Sequence, residues 1–166
     1  TMSDDANKTL QVVPTVDLVR YAGRWYELAR LPNSFQKSCS GEVVATYSLL
    51  EQGELKVVNE CRKANGQVEQ AEGKARLADP SGANSKLKVR FAPAFLSWLP
   101  AVWGDYWIIE LAPDYSYSVV GTPDRKYLWI LSRTPQMDAA IYQRLLENAA
   151  KAGFDVSMVV RTKQAP

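Results

Sequence analysis

Between Ala45 and Val119, polar and apolar side chains repeatedly change places at every second residue, which is the period of a strand with one wet face and one buried face. Lys86, Lys88 and Arg90 alternate with Leu87, Val89 and Phe91, and Glu72, Lys74 and Arg76 alternate with Gly73, Ala75 and Leu77. The same period sets Ala45, Tyr47 and Leu49 against Thr46 and Ser48, Leu55 and Val57 against Glu54 and Lys56, and Tyr115, Tyr117 and Val119 against Ser116 and Ser118. Residues 23–30, 106–111 and 127–132 are further runs rich in aromatic or aliphatic side chains, which brings the expected strands to eight. Short turn-rich connections at 51–53, 64–66 and 79–85 make neighbouring strands hairpins. One substantial helix is expected, with Thr134 as cap, Pro135 in its first turn, Gly153 past its end and an apolar stripe of Ile141, Leu145 and Ala149. Residues 158–161 supply a short ninth strand. The expected architecture is all-β: an eight-stranded antiparallel up-and-down β-barrel with one C-terminal helix packed outside. Residues 1–11 are read as a tail and 12–166 as a single domain.

Eight tilted strands can close on themselves and remove their edges, leaving an interior for side chains or for one small ligand. The apolar face of Ala71, Gly73, Ala75 and Leu77 is small, which favours a cavity over a filled centre. Twenty basic against eighteen acidic residues leave a net charge of +2, too little for a protein built to neutralise a nucleic-acid backbone. No nucleic acid is expected as partner. The chain has no histidine, which excludes Ser-His-Asp and Cys-His catalysis and imidazole metal sites. Cys39 and Cys61 stand as two thiols or one disulfide, and without carboxylates they cannot complete a zinc site. No metal or cofactor is expected. The first ten residues are polar and carry no apolar signal region, which leaves the compartment open.

The segment Tyr21-Ala22-Gly23-Arg24-Trp25-Tyr26 places a glycine two residues before a tryptophan at the start of the first strand. Taken with Asp114-Tyr115, and with Tyr127-Leu128-Trp129-Ile130-Leu131-Ser132-Arg133-Thr134-Pro135 ahead of the helix, it resembles the three conserved regions of the lipocalin family. Leu31-Pro32-Asn33-Ser34-Phe35-Gln36 and Gly121-Thr122-Pro123-Asp124-Arg125 look like the bacterial outer-membrane lipocalins and their apolipoprotein-D-like relatives. One departure is Pro113, where many family members carry a threonine before Asp-Tyr; it weakens the expected turn hydrogen bonding. The resemblance implies a calyx open at one end, with the helix on its wall.

Within that fold, Trp25 and Arg133 are expected to close the narrow end, the guanidinium lying over the indole for about 0.5–2 kcal/mol. Alternate positions Glu27, Ala29, Tyr47, Leu49, Val57, Asn59, Ala75, Val89, Phe91, Trp107 and Trp129 are expected to face the cavity, subject to inversion beyond any bulge. Glu27 and Asn59 are its polar members. Hairpin geometry brings Cys39 and Cys61 to the open rim, with Cys61 counted nearest Val44. Many bacterial relatives carry a cysteine pair there, so the resemblance implies a disulfide and an oxidising compartment. The uncharged run 91–104, with Phe95, Trp98, Leu99 and Trp103, is too short and proline-rich to span a bilayer. It reads as an entrance loop that folds over its own barrel, touches a membrane surface or pairs with a second copy in a homodimer. Lys37, Arg62, Lys63, Arg125 and Lys126, opposed by Glu42, Asp105 and Asp124, are expected to make the mouth positive and to favour an anionic head.

The resemblance therefore implies a carrier that holds a fatty acid, a lysophospholipid or a similar amphiphile. It also implies a place on the periplasmic side of the bacterial outer membrane, with a lipid anchor on the precursor. The competing reading is a calyx enzyme, a lipid isomerase or a thiol-dependent synthase using Cys39 or Cys61.

Overall fold

A computed structural model describes residues 9–33, 39–91 and 103–165. Eight antiparallel strands run β1 (Gly23–Arg30), β2 (Cys39–Leu49), β3 (Leu55–Lys63), β4 (Val68–Leu77), β5 (Lys86–Arg90), β6 (Trp103–Leu111), β7 (Tyr117–Gly121) and β8 (Leu128–Ser132). Each pairs with the next, β8 pairs with β1, and β1 pairs with β2, so the sheet closes. A two-residue β9 (Val160–Arg161) adds to β1 from outside. Alternation therefore placed the strands well, with one exception. Tyr115 is not in β7 but in the turn before it, at φ 62°, where Asp114 Oδ1 accepts the Ser116 N–H. Pro113 leaves that turn closed, since Ala112 O accepts the Tyr115 N–H at 2.8 Å.

Helix α1 (Leu18–Tyr21) is one turn capped by Asp17. The main helix α2 (Ala139–Lys151) starts later than expected: Asp138, not Thr134, is its cap, and its carboxylate accepts the N–H groups of Ala140 and Ile141. Thr134 Oγ1 instead donates to Gln136 O within a bent, non-helical lead-in to the helix. Leu145 and Ala149 of the expected stripe are buried.

Burial falls into two clusters. Inside the barrel, Tyr21, Trp25, Tyr47, Leu55, Ala75, Leu87 and Ile108 fill the narrow half. Outside it, Leu28, Ala29, Val119, Leu128 and Ile130 meet Leu145, Ala149 and Phe154. Leu10, assigned to the tail by sequence, is packed in this outer cluster at 2% exposure.

Arg133 locks the narrow end. Its guanidinium carbon lies 3.8 Å from the Trp25 ring centroid, and its nitrogens donate to the carbonyls of Arg20, Tyr21, Arg24 and Tyr115. Trp25 is fully buried and donates its indole N–H to Tyr21 O at 2.8 Å. Gly23, at φ 108°, permits the approach, because a Cβ there would sit 3.2 Å from the Arg133 guanidinium.

One cation thus satisfies four carbonyls and covers an indole. Arg133→Met should therefore lower the unfolding free energy by about 3 kcal/mol, from lost charge-assisted hydrogen bonds and cation–π contact. Urea denaturation followed by tryptophan fluorescence checks this; an unchanged midpoint would refute the locking role.

Candidate ligand-binding cavity

Above the packed half the barrel is hollow. A cavity of about 620 Å³ is lined by Val43, Ala45, Val57, Ala71, Val89, Phe91 and Leu131, with Tyr47 and Tyr106 at its base, Tyr127 just ahead of β8 and Trp129 on it. It is open where Cys39, Glu69, Phe91, Trp103 and Asp124 gather, at the strand ends opposite the Trp25–Arg133 lock. This volume suits a drug-sized or lipid-sized guest.

Of the residues expected to face this space, Glu27, Tyr47, Val57, Asn59, Val89, Phe91 and Trp129 line it, and Trp103 of the entrance run joins them. Four do not. Ala29 is turned outward beneath α2, because a bulge in β1 sets Glu27 opposite Leu131 but Ala29 opposite Ile130. Trp107 lies in the outer cluster: β6 turns Gly104 and Tyr106 inward, opposite Val89 and Leu87, and leaves Trp107 on the other face, while Trp103 and Asp105, at the start of the strand, border both the outer wall and the cavity rim. The Trp107 ring is covered by the Lys86 ammonium at 4.4 Å. Leu49 ends β2 below the floor and is 42% exposed. Ala75 faces inward but is sealed in the packed half, and Ala71, nearer the mouth, lines the cavity instead. Phe95, Trp98, Leu99 and Lys37 lie outside the described residues. Tyr106, Ala71 and Leu131 were missed. Parity on β4 and β8 would have found the last two, whereas in β6 the unbroken run 106–109 hides its own phase.

Of the cations expected at the mouth, Arg62, Lys63, Arg125 and Lys126 are not among the described residues lining the cavity, and Lys37 lies outside the described residues. Among the described residues lining the cavity, the charged ones are Glu27, Glu60, Glu69, Asp105 and Asp124. Arg62 is drawn away by an ion pair with Glu42, and Arg125 donates to Ala152 O and Pro123 O. Glu27, 3% exposed, is a structural group: its Oε2 accepts from Arg30 at 2.9 Å and from the Thr162 hydroxyl. Asn59 is different, since its amide has no hydrogen-bond partner among the described residues.

Cys39 and Cys61 form a disulfide with Cα atoms 5.6 Å apart. Counting had set Cys61 nearest Val44, but Glu60 takes that place. Two irregularities then step β2 back, so that Gly41 faces Arg62 and Cys39 faces Lys63. This bulged stretch, with Glu42 at φ 52°, brings the sulfurs together.

The floor is a chain of hydroxyls. Tyr106 Oη bonds Tyr47 Oη at 2.8 Å and Tyr21 Oη at 2.8 Å, and Tyr21 Oη also meets Ser118 Oγ at 3.0 Å. Burial pushes Tyr21 up to about 12 and holds Tyr47 and Tyr106 well above the usual phenol value.

With this geometry in place, known proteins can be compared. The lipocalin-like domain profile matches residues 16–164. The chain belongs to the lipocalin family. Temperature-induced lipocalin-1 of Arabidopsis thaliana is 43% identical over 159 residues, covering 95% of this chain and 84% of that protein. The outer membrane lipoprotein Blc of Escherichia coli is 39% identical over 154 residues, covering 92% and 82%. Insecticyanin from the tobacco hornworm superposes with a TM-score of 0.72 at 21% identity, over 95% of this lipocalin and 86% of that chain. The family assignment, the closed barrel with its external helix and ninth strand, and the likeness to a bacterial outer membrane lipoprotein are those expected from the sequence motifs.

The phenols of the floor are favoured in their neutral form. Because folding raises their pKa, the stability they contribute is complete below the ordinary value of 10.0 and is lost as pH rises through about 12. In an alkaline titration, three of the eight tyrosines should ionise only together with unfolding. Tyrosinate absorbance followed beside circular dichroism checks this; three silent tyrosines ionising near 10 in the folded barrel would contradict it.

Proposed function

We propose that this lipocalin binds and carries a small hydrophobic or amphipathic ligand, a fatty acid, lysophospholipid or similar lipid, without altering it. The observation that carries this reading is the cavity of about 620 Å³, walled by apolar side chains and open at one end. Burial of a hydrocarbon tail contributes about 25 cal/mol per Å² before ordering costs are subtracted. Asn59 on the wall offers a hydrogen bond to a polar atom of the ligand, since burying its amide unpaired would cost free energy. The head remains at the mouth, where the described lining supplies carboxylates rather than cations.

The same proposal puts the chain in the bacterial cell envelope, on the periplasmic side of the outer membrane, with a lipid anchor on its precursor. The name of its relative Blc supports this, and so does the disulfide, which persists in oxidising compartments. The disulfide weighs against a thiol-dependent enzyme, because both sulfurs are bonded to each other. Thiol titration of denatured, unreduced protein should give none per chain.

Purified protein should displace a fluorescent fatty acid from solution into the barrel and release it to added lysophospholipid. Ala71→Trp, which fills the middle of the cavity, should weaken probe binding at least about tenfold with little change in unfolding midpoint. Absence of probe binding together with no co-purified lipid in a native mass spectrum would overturn the proposal.

A further inference from the structure

The outward face of β3, β4 and β5 gathers six cations. Register sets Lys56 opposite Lys74, Lys74 opposite Arg90, and Arg76 opposite Lys88, with Lys86 at the far end of β5. Like charges directly opposite across a sheet are destabilising, and here three such pairs share one face. Glu72 pairs with Lys56 at 3.6 Å and Asp105 with Lys88 at 3.5 Å. Glu54, one residue ahead of β3, and Glu60, outward on β3 opposite Gln70, are further carboxylates beside them, and Arg62, a seventh cation on this face, is paired with Glu42. Leaving out the Arg62–Glu42 pair, six cations less four carboxylates leave an excess of two on this wall, as large as the net charge of the whole chain.

We propose that this wall docks onto an anionic lipid bilayer. Tryptophans organise its cations: Arg76 and Arg90 lie 4.0 and 4.9 Å from the Trp103 ring centroid, and Lys86 lies 4.4 Å from that of Trp107. Stacking occupies the face of the Arg76 guanidinium and leaves its N–H edge directed at what lies beyond, a donor set that fits phosphate oxygens. The strip is a convex stretch of the barrel wall about three strands or 10–15 Å wide, which can meet a plane of headgroups but encloses no groove. Its tryptophan rings are already covered by cations, so it offers no stacking platform for the bases of a single-stranded nucleic acid. Arg90 and Trp103 end the strip at the barrel mouth, beside Phe91, which is 38% exposed and lines the cavity. Docking by this wall would bring the cavity entrance to the headgroup layer.

The test is co-sedimentation of the full chain with phosphatidylcholine vesicles, with and without phosphatidylglycerol, at low and physiological salt. Wild type should pellet only with the anionic vesicles, and less so as salt rises. Lys74→Glu combined with Arg76→Glu should weaken binding at least about tenfold, and the neutral pair Lys74→Gln with Arg76→Gln by a smaller factor. Arg144→Glu with Lys151→Glu, an equal charge change on the exposed face of α2, should stay within about twofold of wild type. Thermal melts and the solution probe assay establish that each variant folds and read the cavity separately. The proposal is overturned if wild type binds neither vesicle or both equally, if the wall variants retain binding, or if the off-face variant loses as much. It is likewise overturned if a DNA duplex is bound in preference to anionic vesicles.

Discussion

A barrel can afford a hollow only if something else holds its strands together, because an empty interior forfeits the dense contacts that stabilise protein cores. Here the constraint is met at the narrow end. Arg133 satisfies four backbone carbonyls from the segment ahead of β1, β1 itself and the β6–β7 turn, while covering the buried Trp25. Tyr21, Tyr47 and Tyr106 then stack above it, their ring centroids 5.0 to 5.9 Å from one another or from Trp25. Their hydroxyls bond one another and Ser118, so the plug ends in a hydrogen-bonded floor beneath the cavity.

The mouth end is held by different means. Pairing between β1 and β2 is recorded only from Gly23 to Tyr26, and above it the chain after β9 spans the gap. Glu42 N–H donates to Lys163 O, and the Gln164 amide donates to both Glu27 O and Val43 O. Gly41 is required for this passage, as a Cβ there would lie 2.8 Å from Lys163 O. The bulge that turns Ala29 outward serves the same seam, and the Glu27 carboxylate, bonded to Arg30 and Thr162, ties strap to wall from the cavity side. The Cys39–Cys61 crosslink secures the neighbouring hairpin. Hydrogen bonds and a covalent bond thus do for the open half what packing does for the closed one.

Strand positions were legible because Lys86-Leu87-Lys88-Val89-Arg90 and its counterparts carry their phase in plain alternation. Legibility fails where the alternation does. Residues 106–109 are apolar or aromatic throughout, so nothing local says that Tyr106 rather than Trp107 faces in. Ala29 was lost to a bulge, which leaves no mark in composition and is set by pairing with β8 and β9. Thr134 lost the cap to Asp138 because both fit the role chemically and only the path from β8 to α2 decides between them. The part that single cations play at the mouth is hard to read for a related reason: loop membership names neighbours in sequence, whereas Arg62 and Arg125 are turned aside by partners from other segments.

Parity also sorts charge from grease, and this links the wall to the hollow. On β4, Ala71 and Ala75 turn inward and Lys74 and Arg76 outward, and on β5 Leu87 and Val89 turn inward against Lys86, Lys88 and Arg90. The strands with small or thin side chains on the inside are therefore the ones that crowd cations outside. Both choices cost stability, the first as missing contacts and the second as repulsion between opposed like charges. They fall together on the half of the barrel farthest from the helix and its outer cluster, where β1, β7 and β8 are buttressed by Leu145, Ala149 and Phe154. A fold maximising stability alone would spread such costs or remove them. Their concentration on one side, while the opposite side is doubly packed, divides the molecule into a rigid back and a front whose inner and outer surfaces are both left for something other than the protein itself.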